Sequence, residues 1–209
     1  MSKYLIGTDP ELFLTLDGQS ISAEGLIPGT KYEPFKVEKG ALQVDGLAAE
    51  FNIDPASTED EFNNNIKTVL IQLREYLDRH DSRIQMNFVP FMKFDSKYFK
   101  KLSDISKILG CDPDFNYNGQ IITATEKLAN MPIRTAAGHI HIGWTKDVDP
   151  MDPAHFEDCK FISAYFYNNS VAFNRLISPI DYYGTKEENE RLKYYGMMGA
   201  FRPKHYGIE

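Results

Sequence analysis

The amino-acid sequence predicts an α+β fold in which helices pack on one face of an antiparallel β-sheet. Several short strands are joined by hairpin signals such as Asp17-Gly18, which favour antiparallel pairing. The predicted helices lie between groups of strands and do not alternate with them regularly, which disfavours a doubly wound parallel sheet. The chain has 209 residues, of which 42% are apolar, and this is enough for one domain, or one domain with an insertion, with a sizeable core.

The strand predictions rest on alternating polarity and on turn residues. Residues 3–16 predict a strand in which Pro10 marks either an edge position or a bulge between two short pieces. A short return strand near residues 19–23 follows the Asp17-Gly18 turn, and the glycine- and proline-containing residues 24–36 predict a loop. The other predicted strands cover residues 36–38, 41–53, 84–92 and 133–144.

The clearest predicted helix covers residues 57–80. Ser57 or Thr58 can cap its first turn, and the acidic residues at 59–61 are favourable at the positive end of the helix dipole. Apolar residues recur in it at helical spacing, namely Phe62, Ile66, Val69, Leu70, Leu73 and Leu77. Further helices are expected over 96–109, ending at Gly110, over 153–178 and over 186–195, and residues 111–120 predict a loop.

The charge balance restricts the class of partner. With 23 basic and 30 acidic side chains, the formal charge is -7, which argues against broad electrostatic binding to nucleic acid or to an anionic membrane. It is compatible with a carboxylate-rich site for a divalent cation. The N-terminus does not resemble a signal peptide, and no stretch approaches the roughly 18 apolar residues of a membrane span. With two separated cysteines, Cys111 and Cys159, the sequence predicts a cytoplasmic protein with free thiols.

Several common site motifs are absent from the sequence. It contains neither a GxxxxGK[ST] phosphate loop, nor a GxGxxG segment opening a helix, nor GxSxG. His155 lies near Cys159 on a predicted helix without a clear third partner, which argues against a cysteine nucleophile.

Two strand segments carry acidic side chains among apolar neighbours. Period-2 geometry predicts that Asp9 and Glu11 lie on the same side of their strand, with Leu12 and Leu14 on the other. Two like charges on one half-buried face are unfavourable unless a cation or an arginine neutralises them, and a solvated edge strand is the alternative. Glu50 lies in the segment 44–52, and burying its carboxylate without a partner would be costly. It is therefore either compensated by a partner or located at the surface.

A third segment, residues 138–143, places two histidines at alternate positions. His139 and His141 are expected on one face of a strand, with Ile140 and Ile142 facing the core. Two such side chains can reach one metal ion or one anionic ligand, or they can be structural histidines of a sheet. Near the C-terminus, Arg202 and Lys204 are either phosphate- or carboxylate-binding cations or a basic tail on an acidic protein.

Five segments, taken in their order along the chain, resemble one family. They are GTDPELFL, AAEFNIDPA, LGCDPDFN, AGHIHIGW and YYGMMGAFRPKHYGIE. Together they resemble the phage-encoded COOH–NH2 ligase (amidoligase) family, relatives of the glutamine synthetase and γ-glutamyl-cysteine ligase superfamily. The resemblance implies a glutamine-synthetase-like antiparallel sheet, backed by helices, whose concave face holds ATP, Mg²⁺ or Mn²⁺ and an acid substrate. It also implies an amide-forming ligase that activates a carboxylate as an acyl phosphate before an amine attacks.

The resemblance also assigns roles to single residues. It implies that Glu11, Glu50 and Glu209 are metal-binding carboxylates, and that Asp9 is a direct ligand or supports one. It places His139, as a catalytic and metal-binding residue, beside the phosphates.

The resemblance also places His141 and the cations of the C-terminal segment beside ATP. Arg202 would neutralise the transferring phosphoryl group, with Lys204 as a second ATP-binding cation, and Arg202 and Glu50 would be catalytic.

The resemblance further implies a single amidoligase-like domain over residues 1–209, shortened at the C-terminus. The family pattern continues beyond the segment that matches YGIE, and its arginine two residues after Glu209 has no counterpart. The expected partners are a small-molecule or peptide carboxylate and an amine in the cytoplasm (the host cytoplasm for a phage protein), and an oligomer is compatible with the sequence. The alternatives are a non-catalytic phage interaction protein on a truncated ligase fold, and a metal-dependent hydrolase built on His139, His141 and the carboxylates.

Overall fold

A computed structural model describes residues 4–107, 114–122, 131–177 and 199–209, with side chains up to residue 169 in the last helix. The chain divides into two compact units. Among the described residues, 5–107 and 131–140 form the first, which we term the sheet unit. Residues 4, 114–122, 141–177 and 199–209 form the second, which we term the C-terminal unit.

The sheet unit is built around one antiparallel sheet. Within residues 5–87, the unit contains the strands β1 (Leu5–Thr8), β2 (Glu11–Leu16), β3 (Gln19–Ile21), β4 (Phe35–Val37), β5 (Gly40–Asp45), β6 (Ala48–Ile53) and β7 (Gln85–Asn87). The main sheet has the order β3-β2-β6-β5-β4, and β7 also pairs with β2. All of these pairings are antiparallel. A separate two-stranded ladder joins β8 (Phe91–Lys93) to β11 (Ile133–Thr135).

Helix α1 (Glu59–His80) covers one face of this sheet, which confirms the predicted helix. The Thr58 side chain accepts a hydrogen bond from the Glu61 N–H and caps the first turn. The apolar stripe of the helix packs on the alternate sheet residues that face it, and together they form the main core. The fully buried members of this core include Leu12, Leu14, Leu42, Ala49, Val69, Leu73 and Leu77.

The structure divides the helix predicted over residues 96–109. Helix α2 (Ser96–Lys101) ends where Leu102 adopts an extended conformation, and α3 (Asp104–Lys107) follows. The Ser103 hydroxyl accepts the Ser106 N–H and so begins a new helical turn. The prediction of one continuous helix is therefore wrong, and Gly110 lies outside the described residues.

The predicted strands over 41–53, 84–92 and 133–144 are also each divided. In the first, Gly46 adopts a φ of 56°, a left-handed conformation that favours glycine, and a two-residue turn joins β5 to β6. The second becomes β7 and β8, and the third becomes β11 and a later strand. The strand predicted over residues 3–16 is broken at Asp9-Pro10 into two short strands, as one of the two alternatives expected. The hairpin predicted at Asp17-Gly18 is confirmed.

The C-terminal unit combines short strands with one long helix. Its elements are β9 (Asp114–Phe115), β10 (Ile121–Ile122), β12 (Ile140–Gly143), α4 (Pro153–Ile177), β13 (Pro203–Lys204) and β14 (Gly207–Ile208). Strand β14 pairs antiparallel with β12 and with β13, and Cys159 of α4 is buried with Phe201 and Ile208. The β9–β10 hairpin corrects the loop predicted over 111–120. The helix predicted over 186–195 and Cys111 lie outside the described residues.

The described residues form a mixed α/β structure with antiparallel sheets, which agrees with the predicted α+β class. No described helix has the length and apolar character needed to cross a membrane.

Candidate metal centre

Three carboxylates converge on the main sheet of the sheet unit. Glu11 of β2 and Glu50 of β6 are direct cross-strand partners, and Asp45 ends the neighbouring strand β5. One oxygen from each of the three carboxylates lies within 4.8 Å of the others. The structure thus brings together the two sheet carboxylates expected to bind metal and adds Asp45, which the sequence analysis did not identify.

The cluster lies on the sheet face opposite helix α1. Ala49 and Phe51 belong to the core that α1 covers, so Glu50 between them points to the other face. Its side chain is nevertheless buried, since Glu50 is only 7% exposed. The alternative that Glu50 is a surface residue is therefore wrong. Removing a carboxylate from water in this way is costly unless the charge is compensated.

Burial and mutual repulsion change the protonation of the two glutamates. Burial, together with the negative charges of Glu11 and Asp9, raises the pKa of Glu50 from 4.5 to about 9. Burial likewise raises the pKa of Glu11 to about 7, against the lowering effect of a hydrogen bond from the Ala137 backbone. The two side chains therefore retain protons that ordinary glutamates release, and a divalent cation would compete with those protons.

Residues 137–139, which are distant from Glu11 in sequence, hold the Glu11 backbone and side chain by hydrogen bonds. The Ala137 N–H donates to Glu11 Oε2 over 2.8 Å, while the Glu11 N–H donates to the Ala137 carbonyl over 2.8 Å. The Thr8 hydroxyl donates to the His139 carbonyl over 2.7 Å. A Cβ on Gly138 would lie 3.4 Å from Pro10 Cα, so the two backbones are in close contact at this glycine. The break in the strand at Asp9-Pro10 is the place where this segment attaches.

His139 is held beside the carboxylates by Asp9. The imidazole Nδ1–H donates to Asp9 Oδ1 over 2.9 Å, and the His139 backbone N–H donates to the same oxygen over 3.1 Å. The charge of His139 also lowers the pKa of Glu11, so the imidazole lies within electrostatic range of the cluster. Asp9, Glu11, Glu50 and His139 are therefore neighbours in the sheet unit, as the sequence analysis expected of a metal site.

The predicted cations of the C-terminal unit form ion pairs with carboxylates. Arg202 Nε lies 2.6 Å from Asp114 Oδ1, and Arg202 also pairs with the Glu209 carboxylate. Lys204 Nζ lies 2.6 Å from Glu209 Oε2. Both carboxylate oxygens of Glu209 are thus engaged by cations. Asp114 is a second residue that the sequence analysis did not single out.

His141 has a different partner from His139. Its Nδ1 lies 2.5 Å from the hydroxyl of Tyr206, which the β13–β14 turn carries. The expectation that Ile140 faces the core is wrong, because Ile140 is 55% exposed. No local signal in the sequence relates His141 to Tyr206, since the pairing of β12 with β14 creates the contact.

The buried thiol of Cys159 is not a reactive group in this structure. Burial raises its pKa to about 12, and its Sγ lies 3.4 Å from the Gly207 carbonyl. The nearby His155 Nε2 pairs with the Lys204 carbonyl over 2.9 Å, so it carries the proton and cannot accept one from the thiol. This geometry agrees with the sequence argument against a cysteine nucleophile.

No family model, no curated protein and no solved structure matches this chain.

Proposed function

We propose that this chain is an ATP- and Mg²⁺-dependent carboxylate–amine ligase whose divalent cation is bound by Glu11, Asp45 and Glu50. The observation that carries the proposal is the cross-strand pairing of Glu11 with Glu50, with Asp45 within 4.8 Å. The resemblance to the amidoligase family had placed metal-binding carboxylates at Glu11 and Glu50. Like charges directly opposite each other on adjacent strands destabilise a sheet. A cation bound between the two carboxylates would therefore stabilise the sheet in addition to its role in the reaction.

The donor set fits a hard cation. Three carboxylates offer only oxygen ligands, which suit Mg²⁺ or Mn²⁺ better than softer metals. Such a cation supplies charge neutralisation for the phosphates of ATP. The Asp9 carboxylate would keep the His139 imidazole oriented next to this site, since it accepts hydrogen bonds from both the ring and the backbone of that residue.

The proposed reaction has two steps. An oxygen of the substrate carboxylate attacks the γ-phosphorus of ATP, and ADP leaves, which gives an acyl phosphate. The amine then attacks the acyl carbon, inorganic phosphate leaves, and the nitrogen loses a proton as the amide forms. Activation is required because a carboxylate is a poor electrophile. Arg202 and Lys204, which the resemblance assigns to the phosphates, would be oriented by their pairing with Glu209.

The test uses hydroxylamine as a generic amine and a panel of amino acids, dipeptides and dicarboxylic acids as carboxylates. A ligase converts the matching acid into a hydroxamate and releases ADP, and both products can be measured. We expect both to require Mg²⁺ or Mn²⁺ and to be lost in Glu50→Ala and His139→Ala. Glu75→Gln, which changes an exposed glutamate on α1, is the matched control and should retain activity.

The outcomes separate the alternatives. Full activity in Glu50→Ala and His139→Ala would show that the site is assigned wrongly. Calorimetry that shows no Mg-ATP binding at millimolar nucleotide would favour a non-catalytic interaction protein. Metal-dependent cleavage of the same dipeptides without ATP would favour a hydrolase.

A further inference from the structure

Gln43 is a buried amide on the same sheet face as the three carboxylates. It lies on β5, where its cross-strand partner is Glu50 of β6, and it is 7% exposed. It precedes Asp45 by two residues on the same strand, so both side chains point to the same face. A buried amide is costly to maintain unless its hydrogen bonds are satisfied, so its presence here calls for a partner.

That partner is the Glu50 carboxylate. The Gln43 amide lies on the residue directly opposite Glu50, and it lowers the pKa of that carboxyl against the larger raising effect of burial. An amide lowers a carboxyl pKa by donating to it, so the Gln43 N–H is the group that faces a Glu50 oxygen. Glu11 is held in the corresponding way by the backbone N–H of Ala137. Each member of the cross-strand glutamate pair therefore has its own uncharged donor.

Because the Gln43 amide is uncharged, it affects a cation site differently from a lysine or an arginine. A lysine or arginine at position 43 would neutralise Glu50 and compete with a cation for it. The amide instead orients one carboxylate oxygen and adds no charge of its own to the site. Metal ligands whose orientation is fixed by such partners typically lose about 10–100-fold in metal affinity when the partner is removed.

We propose that Gln43 is a positioning residue that orients Glu50 for the divalent cation and gives the site its preference for Mg²⁺ and Mn²⁺ over Ca²⁺. This inference rests on the cation site proposed above. The reason for the selectivity is geometric. Mg²⁺ demands a near-ideal octahedral arrangement, whereas Ca²⁺ accepts flexible and bidentate carboxylates. Loss of a fixed Glu50 should therefore weaken Mg²⁺ and Mn²⁺ binding more than Ca²⁺ binding.

The test compares Gln43→Met with the wild type and with Gln85→Met, which changes an exposed glutamine on β7. Mn²⁺ binding is measured by electron paramagnetic resonance, and Mg²⁺ and Ca²⁺ are measured by competition against Mn²⁺. We expect Gln43→Met to weaken Mn²⁺ binding about 10-fold or more. We also expect it to lower the Mg²⁺ to Ca²⁺ affinity ratio and to change the line shape of bound Mn²⁺. Gln85→Met should match the wild type in all three readouts.

A general loss of folding would weaken all cations together, so the affinity ratio is the decisive readout. If Gln43→Met does not fold, Gln43→Asn keeps an amide in the sheet but withdraws it by one methylene, and the same change in ratio is expected. Unchanged binding, or an equal loss for Mg²⁺ and Ca²⁺, would overturn the role of Gln43 while leaving the cation site intact. A wild-type protein that binds no Mn²⁺ would overturn the site itself and this inference with it.

Discussion

Replacing Glu50 by glutamine should stabilise the metal-free protein at alkaline pH and abolish its stabilisation by divalent cations. The folded protein holds the Glu50 proton up to a pKa of about 9, whereas the unfolded chain releases it near 4.5. The stability that this group contributes is therefore complete below about pH 4.5 and is lost as the pH rises towards 9. Glutamine has the same size as glutamate and does not titrate, so Glu50→Gln should not lose stability in this way as the pH rises.

The magnitude follows from the linkage between protonation and folding. Each unit of pH across this window costs about 1.4 kcal/mol, so the wild type should lose up to about 4 kcal/mol between pH 5 and pH 8 through Glu50 alone. For a chain of this size, that corresponds to a difference in melting temperature on the order of 10 °C. A cation at about 100 times its dissociation constant should restore about 2.7 kcal/mol to the wild type and nothing to Glu50→Gln.

The assay is urea unfolding followed by circular dichroism at pH 5, 6.5 and 8, in EDTA and in MgCl₂. Hydrogen exchange of peptides from residues 40–53 assigns the change to the sheet unit. Glu75→Gln, at an exposed position on α1, is the control and should behave as the wild type. Glu11 also titrates in this range, so the decisive quantity is the difference between variant and wild type. Parallel loss of stability in both proteins, or stabilisation of Glu50→Gln by Mg²⁺, would refute the reasoning.

Three further substitutions test the packing and the ion pairs by the same urea assay. Leu73→Ala opens a cavity between α1 and the sheet and should cost about 2–5 kcal/mol; a loss below about 1 kcal/mol would contradict the described core. Thr58→Ala removes the helix cap and should cost about 1 kcal/mol, whereas Thr58→Ser should restore it. Arg202→Met removes a cation from between the buried carboxylates of Asp114 and Glu209 and should cost about 3–5 kcal/mol; an unchanged unfolding midpoint would show that these pairs do not form.

The features that the sequence predicts well are those with a local cause. Helix α1 has a cap, acidic residues in its first turn and an apolar stripe, all within one segment. The Asp17-Gly18 hairpin likewise depends on two adjacent residues that accept positive φ. The undivided strand predicted over 41–53 is wrong because its alternation continues through Gly46 and hides the turn there.

The candidate site is harder to predict because cross-strand register creates it. Glu11 and Glu50 stand out as acids among apolar neighbours, but Gln43 and Asp45 acquire significance only once β5 is paired with β6. The pairing of Asp9 with His139 joins residues 130 positions apart, and no local pattern encodes it. The ion pair between Arg202 and Asp114 has the same character, with a separation of 88.

The attachment of residues 137–139 to the Asp9-Pro10 break has a consequence for the order in which the site is assembled. The contacts among Glu11, Asp45 and Glu50 lie within residues 11–50, so they can form earlier in folding than a contact that spans most of the sheet unit. The contact between Glu11 and Ala137 closes a separation of 126 residues and is expected to form late. During synthesis, the three carboxylates would therefore leave the ribosome long before His139 does. His139 is therefore expected to be the last part of the candidate site to reach its place, after the three carboxylates have come together.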